Sequence, residues 1–269
     1  RVQHHHAHFA AVMAEHRLAK PCVGVCFDGT GYGTDGTSWG GEILAGGYNH
    51  CTRAASLAPF CLPGGDAASR MPWRSAAGLL HEVYGAAAFD VARTTHLPMI
   101  PATKIAFEML ATRTNCPVSS SAGRLFDAFA ALGSLAAEST YEGEAAILFQ
   151  AAAESASTKT ALPFVVRAMR GGLLQIDWRP ALVAFLDGLH AGKTAATLAR
   201  AFHRGLAESV REAAAAVARS TDTREICFSG GVMQNAFFLD CVTRAFSGSD
   251  FRLHFHSVVP ANDGGIALG

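Results

Sequence analysis

The sequence predicts an α/β chain of two lobes, and three observations carry that prediction. Apolar runs of strand length alternate with longer stretches of helical spacing. Strand-like runs lead into glycine-containing turns, at Asp28-Gly29-Thr30-Gly31-Tyr32-Gly33, Ser229-Gly230-Gly231 and Asn262-Asp263-Gly264-Gly265. Of the 269 residues 50% are apolar and 16% charged, where a soluble domain averages about 25% charged. That balance excludes a disordered polyelectrolyte and supplies a sizeable core.

The elements follow in order. Val2 to Leu18 reads as a helix, since Phe9, Val12, Met13 and Leu18 fall near helical spacing and Pro21 closes it. Cys22 to Asp28 reads as a strand ending in the first glycine-rich turn, Trp39 to Tyr48 as a second strand and Arg53 to Phe60 as its antiparallel partner. Pro59 to Trp73 reads as loop. Helical patterns then run over Ala76 to Ala92, Ala102 to Arg113, Ala122 to Leu135 and Glu142 to Glu154. A strand pair, Leu162 to Met169 and Leu173 to Asp177, turns at Gly171-Gly172, and a long helix is expected over Lys193 to Arg219. Glu225 to Phe228 is a strand that breaks at Ser229-Gly230-Gly231 into a helix from about Met233 to Phe246. Phe251 to Val259 is the last strand and Pro260 to Gly265 a loop. No repeat or charged linker interrupts the pattern, so residues 1–269 are read as one unit, with a lobe boundary placed near residue 115.

Charge and cysteine usage narrow the function. Lys plus Arg and Asp plus Glu number 22 each, a formal net charge of zero, which gives no electrostatic footprint for duplex nucleic acid. The longest apolar runs, such as Ala128 to Ala137, fall short of the roughly 18 to 20 residues that span a bilayer. No signal-peptide pattern opens the chain. The expectation is a soluble, cytoplasmic protein without a nucleic-acid or membrane partner. Seven cysteines, an odd number without a Cys-x-x-Cys pair, read as reduced and buried. The chain opens at Arg1 without an initiator methionine and stops at Gly269 where a helix is expected to begin, so it is read as a fragment.

Four stretches hold the candidate chemistry. In His4-His5-His6-Ala7-His8, His4 and His8 lie four residues apart and share one helical face, close enough to share a metal suited to imidazole, such as zinc or ferrous iron. A tag remnant, or surface and core histidines, are the alternatives. Asp28-Gly29-Thr30-Gly31 suits either a plain hairpin or a phosphate-cradling turn whose carboxylate can hold a metal. Ser229-Gly230-Gly231-Val232-Met233-Gln234-Asn235 joins strand to helix, where amides can face a phosphate or merely make a tight connection. Asp263 sits at the end of the last strand, a usual ligand position in α/β folds. No internal nucleophile stands out.

Together these motifs resemble a known family. Val2-Gln3-His4-His5-His6-Ala7-His8, Phe27-Asp28-Gly29-Thr30-Gly31-Tyr32-Gly33 and Trp39-Gly40-Gly41-Glu42 look like the C-terminal carbamoyltransferase domain of the hydrogenase maturation HypF family. Leu62-Pro63-Gly64-Gly65-Asp66, Pro72-Trp73-Arg74, Gly123-Arg124-Leu125-Phe126-Asp127, Tyr141-Glu142-Gly143-Glu144, Ser229 to Asn235 and Asn262 to Gly265 follow in the family's order. That family is similar in turn to antibiotic O-carbamoyltransferases, to the enzyme making threonylcarbamoyladenosine in tRNA, and to actin, sugar kinases and Hsp70.

The resemblance implies a two-lobed actin-like ATPase fold, truncated at the N-terminus, with part of a sheet's apolar face left exposed. It implies one divalent metal, zinc or ferrous iron with magnesium as a third choice, held by His4, His8 and Asp263 with Asp28 adjacent or ligating. Phe27, Asp28, Gly29, Thr30 and Gly31 would line the phosphate side of an adenine-nucleotide cleft, joined by Gly230 and Gly231, while Asp127, Gly143 and Asn235 would hold the nucleoside. Asp28 and Arg74 are the expected catalytic residues, with Arg70 and Arg124 as further arginines of open role. ATP or carbamoyl adenylate is the implied cofactor, and a HypE-type protein the acceptor of the carbamoyl group at its C-terminal cysteine. A small-molecule O-carbamoyltransferase and a non-catalytic nucleotide- and metal-binding module are the alternatives.

Overall fold

Helix α1 (His4–Glu15) starts where Gln3 caps it, the Gln3 Oε1 accepting from the His6 amide at 2.9 Å. Strands β1 (Cys22–Tyr32), β2 (Ser38–Gly46), β3 (Cys51–Leu57) and β4 (Phe60–Cys61) follow, then helices α2 (Ala67–Arg70), α3 (Pro72–Tyr84), α4 (Ala88–Ala92) and α5 (Pro101–Thr112). Next come β5 (Val118–Ser119), α6 (Ala122–Leu132), α7 (Glu144–Ser155), β6 (Val165–Ala168), β7 (Leu174–Asp177), α8 (Arg179–His190) and α9 (Ala195–Ser220). The chain closes with β8 (Glu225–Ser229), a 3-10 turn (Gly231–Gln234), α10 (Ala236–Ala245), β9 (Arg252–Phe255) and a second 3-10 turn (Asp263–Leu268). This computed structural model describes residues 2–269.

One nine-stranded sheet organises these elements, in the order β6-β7-β3-β2-β1-β8-β9 with β4 and β5 paired at its side. β1 runs antiparallel to β2 and parallel to β8, which in turn pairs parallel with β9. The central strand β1 is buried on both faces, as its near-continuous apolar sequence requires. Val23, Val25 and Phe27 face the main core under the helices, whereas Cys22 and Cys26 join Phe9, Val12 and Met13 of α1 in a smaller cluster on the other face. No helix is long and apolar enough to cross a membrane among the described residues.

The fold departs from the sequence reading at several points. β1 does not end at Asp28 but runs to Tyr32, and the hairpin turns later, where the Gly33 amide bonds the Thr37 carbonyl at 2.9 Å. Between Phe27↔Gly41 and Gly31↔Trp39 the register shifts, so Asp28, Gly29 and Thr30 face a single β2 residue, Gly40. The stretch expected as a turn is a bulge within a strand. The expected loop from Pro59 to Trp73 holds β4 and α2, and α8 is an unexpected helix, begun by a proline in its first turn at Pro180. Among described strand residues only Tyr32, 80% exposed at the end of β1, is a large apolar side chain in solvent. Among the described residues no apolar sheet face is therefore exposed: α1 covers the middle of its face, and beyond it lie half-buried Cys51, Arg53 and Gln175. Residue 115 falls between α5 and β5, and strands on either side of it belong to the same sheet.

Candidate metal and nucleotide site

Four side chains from three distant stretches meet at the bulge of β1. His4 and His8, one turn apart on α1, direct both Nε2 atoms at Asp28 Oδ2, each at 3.1 Å. The same nitrogens lie 3.2 and 3.3 Å from Asp263 Oδ1, which the second 3-10 turn brings against α1. One donor atom from each of the four lies within 4.8 Å of the others. His8 is buried and Asp263 largely exposed, so the cluster opens to solvent on the Asp263 side. Two imidazoles and two carboxylates, with both Nε2 atoms lacking any partner but the carboxylates, form a donor set that fits a divalent cation of borderline hardness.

The electrostatics agree with the geometry. Burial works against the charge on Asp28, but hydrogen bonds from His4 and His8, the His8 charge and the Gly29 amide outweigh it and hold this carboxyl well below the usual range. The Asp28 hydrogen bond is the main reason His4 is shifted up. The histidines between them turn away from the cluster. His6 bonds the Gly47 carbonyl at 2.8 Å, and His5 lies buried beside Trp39 with its pKa pushed down to about 3 by burial and then by neighbouring His4.

A surrounding set of bonds fixes the ligand-like atoms. Asp28 Oδ1 accepts from the Gly29 amide at 2.8 Å and the Gly231 amide at 3.1 Å, leaving Oδ2 to face the histidines. Ser121 Oγ, the cap of α6, lies 2.6 Å from the Gly29 carbonyl and ties α6 to the bulge. Next to it, buried Glu42 bonds Ser120 Oγ and Arg53 Nε, each at 2.5 Å, and locks β2 to this corner. Behind His8, Ser229 Oγ lies 3.3 Å from Nδ1 and 2.9 Å from His256 Nε2, and His256 Nδ1 reaches Glu15 at 2.7 Å. Burial opposes ionisation of Glu15, yet bonds from Ser257, Val258 and His256 hold its carboxyl down to about 2. Gly31 is required because His4 and His5 press on the strand: a Cβ there would lie 2.7 Å from His4 Cδ2. Gly230 takes φ 96 with its α-carbon against the Phe27 carbonyl.

The remaining sequence candidates divide. Phe27 lines the site only with its backbone, for its ring stacks on Phe238 in the core. Thr30 is exposed and bonds Ser38 Oγ at 2.9 Å. The amides of Gly29 and Gly231 orient Asp28, and that of Gly230 bonds the Ala261 carbonyl, so these glycines position the site with bonds made inside the chain. Asp127 is buried on α6, its pKa raised to about 6 by burial against the pull of Arg124. Asn235 caps α10, accepting from the Phe238 amide at 2.8 Å, and its Nδ2 lies 3.1 Å from His203 Nε2, so both of its polar atoms are engaged within the fold. Gly143 opens α7 at φ 78 and a Cβ there would meet nothing within 4 Å. The Arg74 guanidinium bonds the Pro63 carbonyl at 3.3 Å and lies 4.7 Å from the centre of the Trp73 ring. The arginine beside the bulge is Arg124, and Ser229, His256, Glu15 and Ser121 are the supporting residues that sequence reasoning missed. Ser121 alone left a local signal, a serine before a helical run.

A mixed sheet whose central strand bulges into a His–His–Asp–Asp cluster, closed by an N-terminal helix and a C-terminal loop, agrees with the Kae1-like class of domain. A family model described as the carbamoyltransferase Kae1-like domain, second subdomain, matches residues 24–269. The chain belongs to this family, the HypF carbamoyltransferases. It is 36% identical over its whole length to carbamoyltransferase HypF2 of Cupriavidus necator and 37% identical to carbamoyltransferase HypF of Rhizobium leguminosarum bv. viciae, covering 35% and 34% of those proteins. A crystal structure of full-length HypF in the phosphate- and nucleotide-bound form superposes with a TM-score of 0.89 at 31% identity, over 99% of this chain and 41% of that one. The chain thus spans about a third of the length of the curated relatives it matches.

Proposed function

We propose that this chain is the carbamoyl-transfer module of a HypF-type protein. Its substrate is carbamoyl adenylate, made from carbamoyl phosphate and ATP, and its acceptor is the C-terminal cysteine of a HypE-type partner, on the way to nickel–iron hydrogenase. The observation that supports this most is the convergence of His4, His8, Asp28 and Asp263 at the bulge of β1. A divalent cation held there would supply positive charge to the phosphate of the departing AMP.

The chain's own residues do the rest. His4 and His8 would offer their Nε2 atoms to such a cation, while the Gly29 and Gly231 amides keep one Asp28 oxygen occupied and so aim the other. Asp127 and Asn235 hold the nucleoside, and the backbone of residues 27–31 flanks the phosphate. The acceptor thiolate attacks the carbamoyl carbon, a C–S bond forms, the C–O bond to the phosphate breaks, and AMP leaves with that electron pair. Burial raises the pKa of Cys26, and the hydrogen bond with the Cys22 thiol, followed by burial, raises that of Cys227, so neither of these buried thiols competes with an outside nucleophile.

The test uses the complete protein with ATP, carbamoyl phosphate and a HypE-type acceptor. AMP release and a carbamoylated acceptor cysteine, seen by mass spectrometry, are expected. ATP binding with no release of AMP or pyrophosphate would defeat the enzymatic reading, and carbamoylation of a small alcohol instead of the cysteine would turn it toward an O-carbamoyltransferase.

A further inference from the structure

Two buried charges beside the bulge have no hydrogen bonds to account for them. Arg124 and Asp127 lie one turn apart on α6, their side chains 11% and 4% exposed, with Arg124 Nη1 2.9 Å from Asp127 Oδ2. The approach lacks hydrogen-bond alignment: both atoms are buried and without a partner among the described residues. A guanidinium has five N–H groups in a fixed fork, and desolvating such a group unpaired is costly. A purely structural i,i+3 pair would settle into aligned bonds. This pair keeps one edge of the fork free instead, and the element that carries it is fixed, because the Ser121 cap binds both the Arg124 amide, at 3.0 Å, and the Gly29 carbonyl.

The free edge has a direction. Arg124 Nη2 lies 3.5 Å from where a Gly29 Cβ would stand, so the guanidinium edge lies alongside the backbone of residue 29. Residue 29 adjoins Asp28 of the cluster. Arg124 therefore stands between Asp127, assigned to the nucleoside in the reading above, and Asp28 of the His–Asp cluster. An oxyanion between those two points could offer two oxygens to the fork, the paired geometry in which guanidinium groups bind carboxylate and phosphate best.

We infer that Arg124 is a substrate-contacting residue that donates to the α-phosphate of the bound nucleotide, the phosphate that bears the carbamoyl group. This rests on the nucleotide reading above and adds the residue that separates AMP from adenosine.

Calorimetric titration of the complete, metal-loaded protein with AMP and, separately, with adenosine tests it. Arg124→Gln keeps a donor near Asp127 and removes the charge and the fork; it is expected to weaken AMP at least tenfold and leave adenosine within about twofold. Arg124→Lys, which restores the charge without the fork, is expected to fall between. Equal losses for AMP and adenosine would make Arg124 a structural partner of Asp127, and unchanged AMP affinity in either variant would remove it from the site. If the unaltered protein bound neither ligand, the nucleotide reading itself would fail, and this inference with it.

Discussion

Behind the sheet, α3, α6, α7, α9 and α10 bury a core made by shape: Phe126, Phe129 and Phe149 surround Phe202 with ring centres 4.5 to 5.2 Å apart. In front of it, α1 buries a few apolar residues and then turns polar, with His4, His8, Asp28, Ser229, His256 and Glu15 linked in one chain of contacts. The two faces share β1 yet answer to different physics. On the rear face a side chain is held by the volume it fills, and stability is the quantity at stake. On the front face each polar atom is held by a partner, and an altered residue changes affinity before it changes stability.

The sharpest way to separate the faces is at the cluster. His8→Ala is expected to abolish carbamoyl transfer and to lower metal affinity by at least 100-fold in a competition titration with a chelator, while His6→Ala, whose ring bonds only Gly47, stays within a few-fold. A comparable loss at both positions would dissolve the distinction between ligand and neighbour. On the other face, Phe202→Ala is expected to cost about 3 to 5 kcal/mol in urea unfolding, with the metal affinity of the folded fraction unchanged.

Intermediate effects probe residues that serve both purposes. His256→Ala removes the group that Ser229 relays to His8, and losing an outer partner of this kind costs roughly 10- to 100-fold in metal affinity. Urea midpoints of the apo variant should move little. Asn235→Ala is expected to cost about 0.5 to 2 kcal/mol for the lost cap as well as weakening nucleotide binding, so both calorimetry and unfolding should respond.

A pH dependence is also expected on the rear face. Burial pushes the His203 pKa down to about 4, from an ordinary value of 6.5. Between those pH values the unfolded chain takes up a proton that folded His203 refuses, so stability falls as pH drops from 6.5 toward 4. His203→Gln, which keeps a partner for Asn235, should flatten that part of the curve when urea midpoints are compared at pH 7 and pH 4.5. An unchanged slope would place the acid sensitivity elsewhere.

How far the sequence could be read follows from how local each signal was. His4 and His8 were legible because helical periodicity alone puts them on one face, and the paired strands around Gly171-Gly172 because turn and alternation are neighbours in sequence. Asp263 could be joined to them only through the family resemblance, since nothing in its own stretch points to α1. The bulge at Asp28 was misread as a turn because glycine suits both, and the choice was made by contacts with α1 and α6 that lie outside the stretch. Helix α8 was overlooked although Pro180 and the spacing of Leu182, Phe185, Leu186 and Leu189 announced it. Nothing local separates Arg74 from Arg124, and only the fold shows that Arg124 is the arginine beside Gly29. The Glu15–His256 contact spans 241 residues and leaves no trace in either neighbourhood.

That cluster also has a bearing on the order of folding. His4 and Asp263 come from opposite ends of the chain, and α1 meets the Asp263–Leu268 turn directly. Closing so long a loop carries an entropic cost that grows with the logarithm of its length, and no shorter segment assembles the same four donors. During synthesis the site can close only after the last of these residues has emerged and the sheet between them has formed. A cation bound there therefore acts on global rather than local opening, and protection from exchange should spread across β1 and β8 together when it binds.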